Sequence, residues 1–525
     1  VASDLRAYPF GPFPFGVNRD CDTVYGQRPG QMKAGQVYDA HNVTMPRGPV
    51  QKRMGFAPMG AALSGIIQVL YDYYDLTGTQ HTLAIGTAGA WSWSDSTRTW
   101  TSLGTLHGNT LAIPWVTVFN GTLVLCNQTT TDGLQSITGS GPLTAITGSG
   151  APASARALQG YENHLLAIDP TLGGVEYPYR VMWSDFNSIT NWASGDAAIV
   201  DLLDVSDPLM ALGTLGVYGT LFPQHSVYNI LPAAAPAFYQ FQQQVTRGGI
   251  AAPSSLRQIS LGAPYLSFDD LYIYNGSSDT PFGGGYLRPV LSQGGPKFML
   301  LSAVVSTVNE SGAEYWISFP SSHSSTQNDL VAVIGYQGVE PGSPGYVTFY
   351  DLTASALGAR TLTSALTWDV MTTWPSYAGV AWNSPGTSAR FPVMLYANGP
   401  QVYQQGPGFD DNGVAITSTV TTGLADFGVE GEKELQRVLV VMDGEPSVPT
   451  ATVSVSVLTS DTGNLKGAVS HGPYTGAVGS ARECWIDCDD VPAARYFGVA
   501  FTHAVLDQDI GLRDLVGLWR VRSAQ

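Results

Sequence analysis

A hairpin signature recurs along this chain, and it restricts the fold more than any compositional total. Short apolar runs of β-formers meet across small or acidic turns. Examples are Val118-Phe119-Asn120-Gly121-Thr122-Leu123-Val124-Leu125, Gly216-Val217-Tyr218-Gly219-Thr220-Leu221-Phe222, Ser267-Phe268-Asp269-Asp270-Leu271-Tyr272-Ile273-Tyr274-Asn275-Gly276 and Tyr396-Ala397-Asn398-Gly399-Pro400-Gln401-Val402-Tyr403. Asn-Gly between β-formers supplies the positive φ angles that a tight hairpin needs. Hairpins repeated at intervals of tens of residues predict an array of small sheets, as in a propeller. Such a scaffold does not name a job, because propellers serve as enzymes, binders and structural rings.

The repeats divide the chain. Residues 1–60 read as an extended arm: Pro recurs through Tyr8-Pro9-Phe10-Gly11-Pro12-Phe13-Pro14-Phe15 and forbids helix, and the aromatics need a covering surface. Residues 61–412 read as an irregular propeller of five to seven blades, with modules of uneven length. The duplicated Ile137-Thr138-Gly139-Ser140-Gly141 and Ile146-Thr147-Gly148-Ser149-Gly150 predict a flexible loop. Residues 413–525 change style. Thr452-Val453-Ser454-Val455-Ser456-Val457 alternates as a strand with one buried face should, with Val438–Met442 and Phe497–Phe501 as partners and Leu518–Arg522 as the last strand. This predicts a β-sandwich-like domain, so the expected fold class is all-β throughout.

With 525 residues the chain is long for one core. Charged residues are only 12%, and the net charge is −17. An acidic chain so poor in Lys does not grip a phosphate backbone, which takes clustered cations, although DNA could slide along it. The four cysteines are scattered; Cys484 and Cys488 share a strand face too far apart to bridge, and lack a second pair for zinc. Reduced, mostly buried thiols are expected. The longest charge-free stretches are broken by Gly, Pro, Asn and Gln, so no membrane span is read.

Catalytic signatures are missing: no nucleophile elbow, P-loop or dinucleotide fingerprint occurs, and the eight His are isolated. No cofactor or metal is called for, and the expectation is a non-enzyme. The carboxylate clusters Asp269-Asp270, Asp410-Asp411 and Asp487-x-Asp489-Asp490 read as turn residues, with an opposed glycosidase pair as the alternative. Trp91, Trp93, Trp183 and Trp192 fall in or beside strands, where core packing competes with a sugar platform. Asp196, Asp201, Asp204 and Asp207 form a looser group, read either as an acidic channel lip or as a solvated loop edge.

Several segments, in order, resemble the tail nozzle family of short-tailed bacteriophages, also described as tail tubular protein B or packaged-DNA stabilisation protein. They are Asn42-Val43 before Arg53-Met54-Gly55 (the family often has Arg-Pro-Gly there), Arg180-Val181-Met182-Trp183-Ser184-Asp185 with Trp192, Tyr218–Phe222 with Ser226–Ile230, and Arg247–Pro253 before Tyr265–Phe268 and Tyr272–Gly276. Asp461-Thr462-Gly463 and the closing Arg520-Val521-Arg522 fit the same layout. The resemblance implies a virion protein assembled in the host cytoplasm. It would be a homo-hexameric ring below the portal and adaptor rings, beside tail fibre or tailspike proteins, that retains the packaged genome and passes DNA through its lumen. It also implies gating loops, for which composition nominates 137–150 and 231–237. The rival class is a carbohydrate-binding or carbohydrate-cleaving propeller that recognises a receptor.

Overall fold

The computed structural model describes residues 5–19, 21–26, 31–45, 49–204, 207–235, 237–244, 246–282, 287–293, 298–322, 324–337, 345–364, 389–406, 408–442, 451–478 and 482–522. The fold is all-β: an irregular propeller, a C-terminal β-sandwich-like domain and an extended N-terminal arm.

Among the described residues, seven antiparallel sets of three or four strands follow one another from residue 67 to residue 405. Six begin with a regular inner strand: Ile67–Tyr74, Trp115–Phe119, Ala157–Tyr161, Leu209–Leu215, Val305–Asn309 and Ala356–Ser364. The fifth sheet, Ala263–Leu266 with Leu271–Tyr274 and Asp279–Pro281, instead receives an irregular inner segment carrying a 3-10 turn at Pro253–Ser255. Residues from all seven inner segments line one axial cavity, so the sheets are the blades of a ring.

Strand periodicity explains why these strands read as continuous apolar runs. Successive side chains point to opposite faces, and a blade is buried on both. In Thr122–Cys126, Leu123 and Leu125 pack towards the first blade, while Val124 and Cys126 pack towards the third. In His164–Ile168, Leu165 and Ala167 face the second blade, and Leu166 and Ile168 the fourth. Each fully buried Leu or Ile contributes about 1.5–3 kcal/mol.

The ring is closed by the arm. Phe56–Pro58 forms the outer strand of the seventh blade, pairing Tyr403 with Pro58 and Gln405 with Phe56. The last blade is thus completed by chain that precedes the first. Gly55 makes this possible: a Cβ there would lie 1.8 Å from the Asp410 carbonyl oxygen.

The sandwich is built from residues 418–521 together with the arm. One sheet orders Glu483–Asp487, Lys433–Met442 and Gly511–Val521 beside Val50–Lys52 and Val43–Thr44, with Arg6–Pro9 also on Gly511–Val521. The other orders Ser418–Thr421, Tyr496–His503, Ala451–Ser460 and Val469–Val478. It continues through Asp39–His41 into the outer strand of the sixth blade, Tyr346–Tyr350, so one nine-stranded sheet spans both units. The expected alternation holds: Val453, Val455 and Val457 are buried. Phe497–Phe501 pairs with that strand, whereas Val438–Met442 lies in the opposite sheet.

Two of the arm's aromatics are covered by this chain itself, while Phe15 is 49% exposed. Phe10 and Phe13 are buried, with Phe10 edge-on to Phe427 and the Gly11 N–H donating to Asp514. In the 137–150 segment, expected as a loop, residues 137–138 and 144–145 belong to the paired strands Leu134–Thr138 and Thr144–Ala145, and the remainder is turn and irregular chain. Ile137 and Ile146 are buried between blades, and the Tyr73 hydroxyl donates to the Gly139 carbonyl. The apolar residue in each duplicated scrap outweighs its glycines. Of the second loop nominated as a gate, residue 236 lies outside the described residues; the rest is the turn between Tyr228–Pro232 and Tyr239–Gln243 in the fourth blade.

Candidate functional site

The inner strands run the same way around the axis, so the first and third turns of each blade reach one face of the ring. The second turns and the connections between blades reach the other. This geometry separates the four carboxylates singled out in the sequence. Asp196 sits in a third turn, its N–H donating to Asp185 (2.9 Å) and its carbonyl accepting from Trp183 Nε1 (2.9 Å). Asp201 ends the blade's outer strand, Ala198–Asp201. The four residues of that strand place it roughly 13 Å further along, towards the opposite face. Asp204 is exposed in the connection to the fourth blade, and Asp207 accepts from the His225 N–H at 2.9 Å. Arg180 grips Asp201 with Nε at 2.7 Å and Nη2 at 2.8 Å, and these hydrogen bonds hold its carboxyl below the usual range. The group therefore follows the rim of the third blade from face to face, away from the axis.

In the other carboxylate clusters, Asp487 pairs with Arg437 and Asp490 accepts from the Tyr474 hydroxyl. Asp270 is buried and accepts from the Leu271 N–H, while Asp269 accepts from the Tyr272 hydroxyl. Asp411 belongs to the junction described next. Trp91, Trp183 and Trp192 are buried between blades. Among the described residues, no three His, Cys, Asp or Glu are placed to hold a metal ion.

The arm motif Asn42-Val43…Arg53-Met54-Gly55 forms the densest polar junction. Asn42, buried and at φ 55°, accepts on Oδ1 from Arg53 Nε (3.0 Å) and from the Asp351 N–H (3.0 Å). Its Nδ2 donates to Asp351 Oδ2 (2.8 Å) and to the Thr417 carbonyl (2.9 Å). One side chain thus ties the arm, the sixth blade's exit and the start of the sandwich. Arg53, 3% exposed, forks onto Asp411 at 2.9 and 2.5 Å beneath the rings of Phe56 and Tyr350. His41 bridges Asp351 (2.6 Å) and Asp39 (3.1 Å). Burial pulls its pKa down, but the hydrogen bonds and charge of the two carboxylates outweigh that and raise it to about 9.

The axial cavity, about 420 Å³, is lined by Gln68, Tyr71, Trp115, Thr220 and Arg257 among others. Asp72 also lines it, but its carboxylate is engaged by the Thr82 hydroxyl, Gln80 Nε2 and the Thr361 N–H. Sequence reading missed this site. The signal available was Pro253, which breaks an inner strand where every other blade keeps one.

No family model matches this chain, and no curated protein matches it. Among solved structures it is similar to the crystal structure of the N-terminal domain of Nup159, at 10% identity and a TM-score of 0.34, covering 67% of this chain and 95% of that one. A likeness that weak carries no argument about function. The class defined by the coordinates is a seven-bladed, arm-closed propeller fused to a β-sandwich-like domain.

Proposed function

We propose that this chain is a non-enzymatic structural subunit of a hexameric phage tail nozzle, which retains the packaged genome and forms its exit channel. The observation that carries the reading is how the charge is spent. Arg19, Arg53, Arg156, Arg180, Arg360, Arg437, Arg520 and Arg522 are each tied to a carboxylate, and Lys52 and Lys433 are buried. These pairs are neutral, so the formal excess of 41 carboxylates over 24 cations remains. Six such copies bring about −100 of formal charge, a wall that repels phosphates and gives DNA no counterion-releasing grip. The ordered resemblance supports the same reading, because its segments fall on framework: the junction at Asn42 and Arg53, and strands of the third, fourth and fifth blades.

The test is assembly with portal and adaptor rings, read by negative-stain electron microscopy. The expected result is a six-fold ring below the adaptor. A chain that stays monomeric and never joins a ring would overturn the proposal. Receptor-glycan cleavage, the rival, takes two carboxylates across a sugar. Asp72 is the one carboxylate among the described residues lining the axial cavity, and its oxygens are turned to the blade.

A further inference from the structure

We infer that the axial cavity is a binding site for a small hydroxylated carboxylate, of the size and chemistry of a sugar acid or hydroxy acid. The inference is independent of the nozzle assignment, since it concerns the interior of a single subunit.

Three polar side chains belong to residues that line this space. Arg257 lines it from the irregular inner segment of the fifth blade. Its guanidinium donates to the carbonyls of Leu256 (Nη1, 2.7 Å) and Ser306 (Nη2, 2.7 Å). No carboxylate lies within ion-pair distance of it among the described residues, in a protein where eight other arginines have one. Carbonyls satisfy two of its five N–H donors and leave its charge uncompensated. Gln68 is 3% exposed; its Nε2 donates to the Asn109 carbonyl, and its Oε1 has no protein partner. Thr220 is 1% exposed, and its Oγ1 has no protein partner either. An unpaired buried polar atom costs about 1–3 kcal/mol. Two such atoms and a cation without a carboxylate, on residues that line one cavity, are more than a packing ring needs.

The local backbone is arranged for this outcome. Pro253 ends the strand geometry, and the 3-10 turn at Pro253–Ser255 is held by Ser306 Oγ on the Ser254 and Ser255 carbonyls, and by the Tyr315 hydroxyl on the Ser255 carbonyl at 2.6 Å. Arg257 follows directly. In the neighbouring fourth blade, Gly213 packs against both Thr220 and Leu256: a Cβ there would come within 3.0 Å of Thr220 Oγ1 and 3.2 Å of Leu256.

The chemistry of the ligand follows from these groups. Arg257 selects a carboxylate or another anion. Gln68 Oε1 is an acceptor and takes a hydroxyl donor, and Thr220 Oγ1 can serve either way. Trp115 and Tyr71 supply apolar surface for a carbon skeleton. The volume of about 420 Å³ lies in the ~300–1,000 Å³ range of small-molecule sites.

The experiment is isothermal titration calorimetry of the full chain with D-glucuronate, D-glucose and inorganic phosphate as separate probes. Glucuronate is expected to bind, and the two probes that carry half of its chemistry to bind at least 10-fold more weakly. Arg257→Gln should abolish the glucuronate signal. Thr220→Val guards against a folding defect: it is expected to leave the melting temperature of the ligand-free protein unchanged or raised, and to weaken glucuronate 5-fold or more. Absence of glucuronate binding, equal binding of glucose, binding of phosphate alone, or a Thr220→Val protein that binds as the wild type would each overturn the inference.

Discussion

Asn42 is the residue whose loss should cost this protein most for its size. Asn42→Ala deletes four hydrogen bonds, two of them to the charged partners Arg53 and Asp351. Neutral bonds contribute about 0.5–1.5 kcal/mol each, and those to charged groups about 1.5–3. The φ of 55° adds strain of about 1–2 kcal/mol once Asn becomes Ala. Against this, Arg53 keeps its fork on Asp411 and Asp351 keeps His41. The expected net loss is about 3–5 kcal/mol, in the range reserved for broken buried networks. Equilibrium urea unfolding, followed by tryptophan emission and by near-ultraviolet circular dichroism, measures it. The two probes should separate in the variant, because the sandwich is released from the sixth blade before the ring opens. Asn42→Gly removes the same hydrogen bonds without the backbone strain, and should be less destabilised than Asn42→Ala by about 1 kcal/mol. An Asn42→Ala midpoint corresponding to less than about 1 kcal/mol would refute the reasoning, since the network would then be solvated at no cost.

The same junction gives the protein an alkaline limit. The folded pKa of His41 is raised from 6.5 to about 9, so its contribution is fully present below pH 6.5 and is lost as pH rises through 9, a span worth about 3 kcal/mol. A pH series of urea midpoints should fall across that window, and His41→Gln should flatten it. Gly55→Ala must displace either the closing strand or the Asp410 carbonyl; a loss of about 1–3 kcal/mol and faster cleavage near residue 55 in limited proteolysis are expected. Burial pushes the thiols of Cys126 and Cys488 up to about 12 and raises that of Cys484. A thiol reagent at pH 8 should therefore titrate at most one cysteine, Cys21, until denaturant is added.

Much of the architecture was legible in local pattern. Tyr218–Phe222 reads as a strand because its residues suit a pleated surface and a Gly216-Val217 turn precedes it, and both signals are local. The alternation of Ser and Val in Ala451–Ser460 likewise announced one buried face. Where local signals misled, packing was the reason. The glycines of 137–150 suggested a loose loop, but Ile137 and Ile146 are held between blades. The acidic group of 196–207 looked like one patch along the chain, but an extended strand carries its members to different faces of the ring.

The sequence by itself determined the all-β class, the repeated blades, the alternating sandwich strand and the acidic, Lys-poor balance, because each follows from residues that are near neighbours or from simple totals. Only the tertiary structure decided that the arm closes the seventh blade, that Asn42 fastens propeller to sandwich, and that Gln68, Thr220 and Arg257 share one cavity. Those partners lie tens to hundreds of residues apart, as Asn42 does from Asp351 and Thr417. Whether a buried polar atom finds a partner depends on which distant backbone is folded against it, and no periodicity in the chain encodes that.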